Sequence, residues 1–273
     1  MSKVKKIIQE LLGNLNLIWV VARYNNKAAF HGHYFGMIWE IFNPLIEILL
    51  NWFVFGAIRD RRPLYFGGNQ VPFLAWMLVG MAAWRLMNRA TLTASQSVQK
   101  KIKLVSKMQF PVSTLPAIEI AGKMTAFFVT LVITVAILLY NNITPTIYWL
   151  QFFYYLFAML VFMYFFGLLN STLTMIFRDY HQVLSPIMRL LFWFSGVVWR
   201  LDEMDVIPRW FVRAMDLNPF SYIITGFRNS FLSGEFFWQH WETTTFFWLF
   251  VLLLAILASH LHMKFRAKFA DLS

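Results

Sequence analysis

Long stretches without a charged residue decide what this chain can fold into. No Asp, Glu, Lys or Arg occurs from Met124 to Phe177 or from Thr243 to Met263. Of the 273 residues, 59% are apolar and only 14% are charged, whereas an average soluble domain is about 25% charged. Because about 20 helical residues cross the hydrocarbon core of a bilayer, these stretches predict membrane-spanning helices.

Six apolar runs reach the length of a membrane crossing, and they predict an all-α integral membrane protein with a single domain over residues 1–273. The predicted spans are residues 34–58, 71–90, 116–140, 147–177, 182–199 and 243–263. Between the fifth and sixth spans, the apolar stretches of residues 206–232 are too short to cross. This segment either re-enters the outer side of the membrane or forms a surface loop with two short helices.

The amino-terminal segment, residues 3–22, places apolar side chains at helical spacing, with Glu10 on the opposite, polar face. This pattern predicts an amphipathic helix that lies on the membrane surface. A cleaved signal peptide is the alternative, which is disfavoured because Asn14 and Asn16 interrupt the apolar residues and Arg23 follows directly.

The lysines indicate the orientation, since short loops rich in Lys and Arg remain in the cytoplasm. With both termini in the cytosol, ten of the eleven lysines are cytosolic. Arg59, Arg61 and Arg62 would then lie outside, but the lysines outnumber them. The net charge of +11 is therefore explained by topology rather than by nucleic-acid binding.

Charged residues inside the predicted spans are costly in lipid and usually face protein, water or one another. Span one runs outward and span two inward, so Glu40 is expected at the depth of Arg89. By the same count, Glu47 is expected at the depth of Arg85, which predicts two ion pairs. Either these pairs hold the helices together, or Arg85 or Arg89 binds an anionic group of a cargo molecule, such as a diphosphate.

Other polar residues give weaker signals. Glu119 and Lys123 are four residues apart in the third span and are predicted to pair. His31/His33 and His260/His262 are spaced by two, which points their rings apart on a helix, so no metal site is predicted. The sequence has no G-x-x-x-x-G-K-[ST] loop, H-E-x-x-H or G-x-S-x-G motif, so it predicts no catalytic residue.

The loop between spans two and three, residues 95–110, carries lysines around an apolar stripe of Val98, Ile102 and Val105. This pattern predicts a short cytosolic amphipathic helix. It is either a capped turn at the lipid headgroups or a peg that seats in a soluble partner. In the second case we expect Ile102 and Val105 to enter the partner.

Four segments resemble a known family. They are residues 36–56 (GMIWEIFNPLIEILLNWFVFG), 107–111 (KMQFP), 176–183 (IFRDYHQV) and 218–232 (NPFSYIITGFRNSFL). They are similar to the permease subunit of ABC-2 type polysaccharide exporters, and within that group most resemble the teichoic acid translocation permease of Gram-positive bacteria. O-antigen and capsule permeases share the same skeleton. The resemblance extends over residues 3–265.

The resemblance implies two copies of the chain joined to two separate ATP-binding cassette subunits, which bind the ATP and Mg²⁺. No cofactor and no enzymatic activity is expected in this chain itself. The implied cargo is an undecaprenyl-diphosphate-linked polymer, moved from the cytosolic to the outer side of a bacterial cell membrane. Asn218, Pro219 and Arg228 are assigned by position to the re-entrant outer helices. The residues assigned to coupling with the ATPase are Lys100, Lys101, Ile102, Lys103, Leu104, Val105 and Lys107.

Two other classes of protein are alternatives. A membrane glycosyltransferase or acyltransferase needs positioned carboxylates or a histidine base, and the sequence offers no such pattern. A secondary transporter or channel is the third class. Paired inverted repeats of broken helices mark many secondary transporters, and the sequence contains no such duplication.

Overall fold

The computed structural model describes residues 2–30, 38–58, 64–66, 69–105, 110–177, 179–199, 208–233 and 235–269. Within these ranges, the chain forms eleven α-helices and one short hairpin. The helices are α1 (Ser2–Gly13), α2 (Leu15–Phe30), α3 (Trp39–Ile58), α4 (Phe73–Ser95), α5 (Ser97–Val105), α6 (Leu115–Tyr140), α7 (Gln151–Ile176), α8 (Tyr180–Phe194), α9 (Arg209–Asp216), α10 (Pro219–Leu232) and α11 (Trp241–Phe265). The antiparallel strands are β1 (Leu64–Phe66) and β2 (Asn69–Val71).

Among the described residues, three helical segments are long and apolar enough to cross a membrane: Val112–Tyr140, Ile147–Ile176 and Phe237–Lys268. They contain α6, α7 and α11 and correspond to the third, fourth and sixth predicted spans. Helices α3, α4 and α8 occupy the other three, whose crossing of the membrane stays a prediction. Helix α8 has 15 residues, fewer than the about 20 that a perpendicular crossing needs. The re-entrant placement of α9 and α10 also stays a prediction.

The amino-terminal segment folds as two helices, where the sequence predicted one over residues 3–22. The break lies at Asn14, whose side-chain amide donates a hydrogen bond to the Glu10 carbonyl oxygen at 2.7 Å. Asparagine often makes such local bonds in place of a continuing helix. Ile7 and Ile18 are buried against the protein, whereas Trp19 is exposed. The apolar residues are thus divided between the protein body and an outward face, as expected of a helix on a membrane surface.

Helix α7 lies at the centre of the protein, packed against α4, α10 and α11. The buried Phe162 ring of α7 lies 5.1 Å from the Phe220 ring of α10 and 6.2 Å from the Phe247 ring of α11, between centroids. Trp84 of α4 meets Phe220 at 5.7 Å. Such tilted and edge-to-face contacts are favoured between aromatic rings. They enclose α10 among the three longer helices.

Capping residues determine where α6 ends and α10 begins. After α6, Asn142 adopts a left-handed φ of 60°, and the Ile143 amide donates to the Leu138 carbonyl oxygen at 3.0 Å. This is the hydrogen bond of a Schellman motif, in which Asn is tolerated at the left-handed position. At the start of α10, the Asn218 side-chain oxygen accepts from the Phe220 amide at 3.0 Å, a typical amino-terminal cap.

Arg228 of α10 is only 3% exposed and donates to three main-chain carbonyl oxygens. The acceptors are Trp76 at 3.1 Å, Gly196 at 2.8 Å and Val197 at 2.7 Å. The guanidinium carbon also lies 3.4 Å from the centre of a Trp76 ring, a cation–π contact. Gly196 has a φ of 64°, which suits a glycine and turns the chain after α8. One side chain therefore holds α4, α10 and this turn together.

Glu10 of α1 joins the amino terminus to two other parts of the protein. Its carboxylate accepts from Ser113 Oγ at 2.6 Å, just before α6, and from Arg266 Nη1 at 2.7 Å, just after α11. Burial alone would raise the pKa of Glu10, but these hydrogen bonds and the charges of Arg266 and Lys6 hold the pKa below its usual value. Glu10, which the sequence pattern places on the polar face of the helix, is thus held against the protein by two partners distant in sequence.

Replacing Gly80 tests the Arg228 attachment. A Cβ atom at Gly80 would overlap Arg228 Nη2, which the three carbonyls prevent from moving aside. We expect Gly80→Ala to lower the free energy of unfolding by about 2–4 kcal/mol, measured by denaturation of the detergent-purified protein. Gly13→Ala at the end of α1 is the matched control, since a Cβ atom there would meet nothing within 4 Å. Equal stability of the two variants would contradict the attachment.

The Glu10 contacts predict a pH dependence of stability. Because the folded state lowers the pKa of this carboxyl, its contribution is complete above the ordinary carboxyl pKa and is lost as pH falls through the folded pKa. We expect Glu10→Gln to lower the free energy of unfolding by about 1 kcal/mol at pH 7. The difference from the unmodified protein should shrink as the pH approaches the folded pKa, in unfolding midpoints measured from pH 7 downward. A difference independent of pH would show that the charge of Glu10 is not involved.

Candidate functional site

A cluster of charges joins α3 to α4. The Glu47 carboxylate of α3 contacts the Arg85 guanidinium and lies 3.1 Å from Arg89 Nη2. The side chains of Arg85, Glu47 and Arg89 are 12%, 39% and 43% exposed. The contact between Glu47 and Arg85 agrees with the depth argument, but Arg89, expected opposite Glu40, shares Glu47 instead. Glu40 lies in α3, and its side chain is outside the described part of the structure.

A narrow cleft lies beside this cluster, between α3, α4 and α6. Its lining residues are Pro44, Arg85, Leu86, Arg89, Lys123, Ala126, Phe127 and Thr130. The cleft volume is about 20 Å³, room for about one water molecule. Arg85 Nε is buried and has no hydrogen-bond partner within the described residues. The cleft therefore gathers three cations beside one carboxylate, with a donor left to satisfy, which is an environment for an anion.

Lys123 lines the cleft, which was not predicted from its spacing in the sequence. It was expected to pair with Glu119 one turn earlier in α6. Glu119 instead accepts a hydrogen bond from Lys101 of α5 at 2.7 Å, and Lys123 lines the cleft with Arg85 and Arg89. Sequence spacing alone does not reveal Lys101 as a competitor, because tertiary packing brings α5 onto α6.

Helix α5 contains most of the residues assigned to coupling. Ile102 is 3% exposed and packs in an internal cluster with Ile18 of α2 and Ile118 of α6. In this conformation the subunit's own helices cover Ile102, and the insertion of α5 into a partner protein stays a prediction. Lys100 and Lys103 are exposed. Leu104 and Val105 belong to α5 without described side chains, and Lys107 lies outside the described residues.

The three residues assigned to the outer segment serve the local structure. Asn218 caps α10 and donates to Ser195 Oγ at 2.9 Å, which links α10 to the end of α8. Pro219 occupies the first turn of α10, where its missing amide hydrogen is no loss. Arg228 donates hydrogen bonds to three main-chain carbonyl oxygens. Neither Asn218 nor Arg228 belongs to the charged cleft.

A second cavity lies where α7, α10 and the start of α11 meet, at the opposite end of the protein from α1. Its volume is about 210 Å³. The lining residues are Tyr155, Ser221, Tyr222, Thr225, Gly226, Asn229, His240 and Thr243. This cavity was not predicted from the sequence, although Ser221, Thr225 and Asn229 recur at a helical spacing of four. Within the described ranges, no group of three His, Cys, Asp or Glu side chains is placed to bind a metal ion.

Comparison with known proteins places these features in a family. Residues 16–232 match the model of the ABC-2 type transporter. The chain is 22% identical over 259 residues to an O-antigen export system permease protein RfbA of Klebsiella pneumoniae, covering 94% of this chain and 95% of that protein. It is 22% identical over 228 residues to the RfbA permease of Myxococcus xanthus, covering 83% and 84% of the two chains. A match across most of the length shows that the chain belongs to the ABC-2 type transporter family, and the three helical segments long and apolar enough to cross a membrane agree with it.

Proposed function

We propose that this chain is the membrane subunit of an ATP-driven exporter that moves a lipid-linked polysaccharide of the O-antigen type out of the cytosol. The observation that carries the proposal is the similarity to O-antigen export permeases over 94% of the chain. These relatives favour the O-antigen alternative over teichoic acid. They give no support to the teichoic acid cargo or the Gram-positive host that the sequence resemblance implied.

The energy for export is proposed to come from separate subunits. The sequence contains no phosphate-binding loop of the G-x-x-x-x-G-K-[ST] type. The proposed complex has two copies of this chain and two ATP-binding subunits, which hold the ATP and Mg²⁺. The membrane in question is a bacterial plasma membrane, with both termini of this chain in the cytosol.

The charged cleft supports a lipid diphosphate as the group that this subunit recognises. Phosphate oxygens accept hydrogen bonds from guanidinium groups in a fork geometry, and Arg85 and Arg89 are one helical turn apart. Lys123 adds a third cation from α6. In the present conformation, the Glu47 carboxylate is paired with two of these cations, Arg85 and Arg89. Binding of a diphosphate therefore requires Glu47 to give up its contacts and the narrow cleft to widen.

Removing the cleft charges singly tests diphosphate binding. We expect Arg85→Gln and Lys123→Gln each to raise, by about tenfold, the concentration of undecaprenyl diphosphate that half-maximally stimulates ATP hydrolysis. The measurement uses proteoliposomes that contain this subunit and its ATPase. Each substitution removes one cation that a phosphate would contact.

Glu47→Gln distinguishes binding of the diphosphate from simple helix pairing. If Glu47 competes with the diphosphate, this variant keeps or lowers the half-maximal concentration. If the charges only pair α3 with α4, Glu47→Gln and Arg85→Gln lower the unfolding midpoint alike and Lys123→Gln leaves stimulation unchanged. The second pattern would contradict a role in cargo binding.

The exposed face of α5 is the proposed contact with the ATPase. We expect Lys100→Glu and Lys103→Glu to lower the ATPase activity of the assembled complex by about fivefold, because reversed charges oppose docking. Lys5→Glu, an exposed lysine of α1, is the matched control. Ile102→Asp does not test coupling, because it would place a charge in the subunit's own core. Unchanged activity in both α5 variants would remove the coupling assignment.

Export itself is tested in proteoliposomes loaded with an undecaprenyl-diphosphate-linked O-polysaccharide. Transport should require both this chain and the ATP-binding subunit, with ATP on the side of the termini. Transport by this chain alone would refute an ATP-driven mechanism. Sugar transfer from a nucleotide-sugar donor without the partner would favour the glycosyltransferase alternative.

A further inference from the structure

We infer that the cavity between α7, α10 and α11 binds one neutral sugar residue of a glycan. The inference rests on the proposed export function for its biological meaning and on the lining of the cavity for its chemistry. Among the described residues that line the cavity, none is Lys, Arg, Asp or Glu. The contrast with the cleft beside Arg85 is one of charge: that cleft suits an anion, whereas this cavity suits an uncharged ligand rich in hydroxyl groups.

One face of α10 supplies hydrogen-bonding groups to this cavity. Ser221, Thr225 and Asn229 succeed one another every four residues, so their side chains share a helix face. Within the described part of the chain, these three side chains make no hydrogen bond. Ser230, on a different face of the same helix, donates instead to the Gly226 carbonyl oxygen at 2.8 Å. The polar groups on the cavity face are therefore left for a ligand or solvent, whereas the Ser230 hydroxyl is satisfied internally.

Two tyrosines, Tyr155 of α7 and Tyr222 of α10, provide an aromatic wall of the cavity. The rings of Tyr155 and Tyr222 lie 5.5 Å apart, and Tyr222 stacks on Phe247 with 4.4 Å between centroids. A tyrosine offers an apolar ring face beside a polar hydroxyl. A sugar ring is likewise apolar on its faces, where its C–H groups lie, and polar at its edge, where its hydroxyl groups lie. A single hexose is of the size that a cavity of about 210 Å³ admits.

The aromatic wall is held in place before any ligand arrives. The Tyr222 hydroxyl donates to Thr244 Oγ1 at 3.1 Å and lies 3.0 Å from the Tyr154 hydroxyl. Trp248 Nε1 donates to Tyr154 at 2.9 Å. Gly226 brings α10 so close to the Tyr155 ring that a Cβ atom there would overlap the ring. A fixed wall reduces the entropy lost on binding, which suits recognition of a weakly bound sugar.

His240, at the mouth of the cavity, does not convert it into an anion site. Its Nε2 atom lies 2.9 Å from a carboxylate oxygen of Glu235. The imidazole therefore lies beside a carboxylate, and a carboxylate at this position disfavours an anionic ligand.

Saturation-transfer difference NMR on the full chain in nanodiscs tests the inference. The probes are methyl α-mannoside, methyl β-galactoside, methyl α-rhamnoside and methyl N-acetyl-β-glucosaminide. We expect at least one glycoside to bind, and Asn229→Leu to weaken that binding about tenfold because its amide contacts are lost. Thr225→Trp, at an exposed position, should abolish binding by filling the cavity, which keeps the test valid if Asn229→Leu does not fold.

Matched controls separate this cavity from other surfaces. Ser230→Ala removes a hydroxyl of α10 that is bonded internally, and Thr146→Trp adds an indole at another exposed site. Both should bind the glycoside as the unmodified chain does, and inorganic diphosphate should not compete. Glycoside binding that survives Thr225→Trp, or no binding by any of the four probes, would overturn the inference. Either result leaves the export proposal to its own proteoliposome assay, so the two failures are distinguishable.

Discussion

Hydrocarbon offers no hydrogen-bonding partner, so a polar group at membrane depth must find one within the protein. Arg228 and Arg85 find their partners within the protein in different ways. Arg228 bonds to three main-chain carbonyls, which cannot leave without rearrangement of the backbone. Arg85 contacts the side chain of Glu47, which is 39% exposed and is able to turn away. The first arrangement suits permanent attachment of α10, and the second suits exchange of one anion for another.

Local signals in the sequence were sufficient to predict much of the helical architecture. Helices α6, α7 and α11 lie in the predicted third, fourth and sixth spans because a long apolar run acts over its own length. The ends were less predictable. Helix α8 stops before the predicted end at residue 199 because the chain turns at Gly196 to meet Arg228. The short hairpin was missed, since strands of three residues give almost no periodicity.

Interactions between distant elements account for the errors at the candidate sites. The contact of Glu47 with Arg85 was predictable because helical rise fixes the depth of residues on antiparallel helices. The pairing of Glu119 was not, since Lys101 comes from α5. The apolar stripe of α5 correctly identified a face that becomes buried at Ile102. The stripe did not show what covers that face, because an apolar stripe looks the same whether a partner protein or the subunit's own α2 and α6 bury it.

On the proposed function, the charges that close the cleft also determine when it opens. Pro44 lies inside α3 and lines the cleft, and a proline within a helix removes a backbone hydrogen bond and favours a bend. Movement of α3 away from α4 would separate Glu47 from Arg85 and leave partly buried cations unpaired, which is costly. A diphosphate that enters as α3 moves would replace Glu47 and stabilise the open form. Opening and cargo uptake are then one coupled event, since a ligand shifts an equilibrium only through its preference for one state.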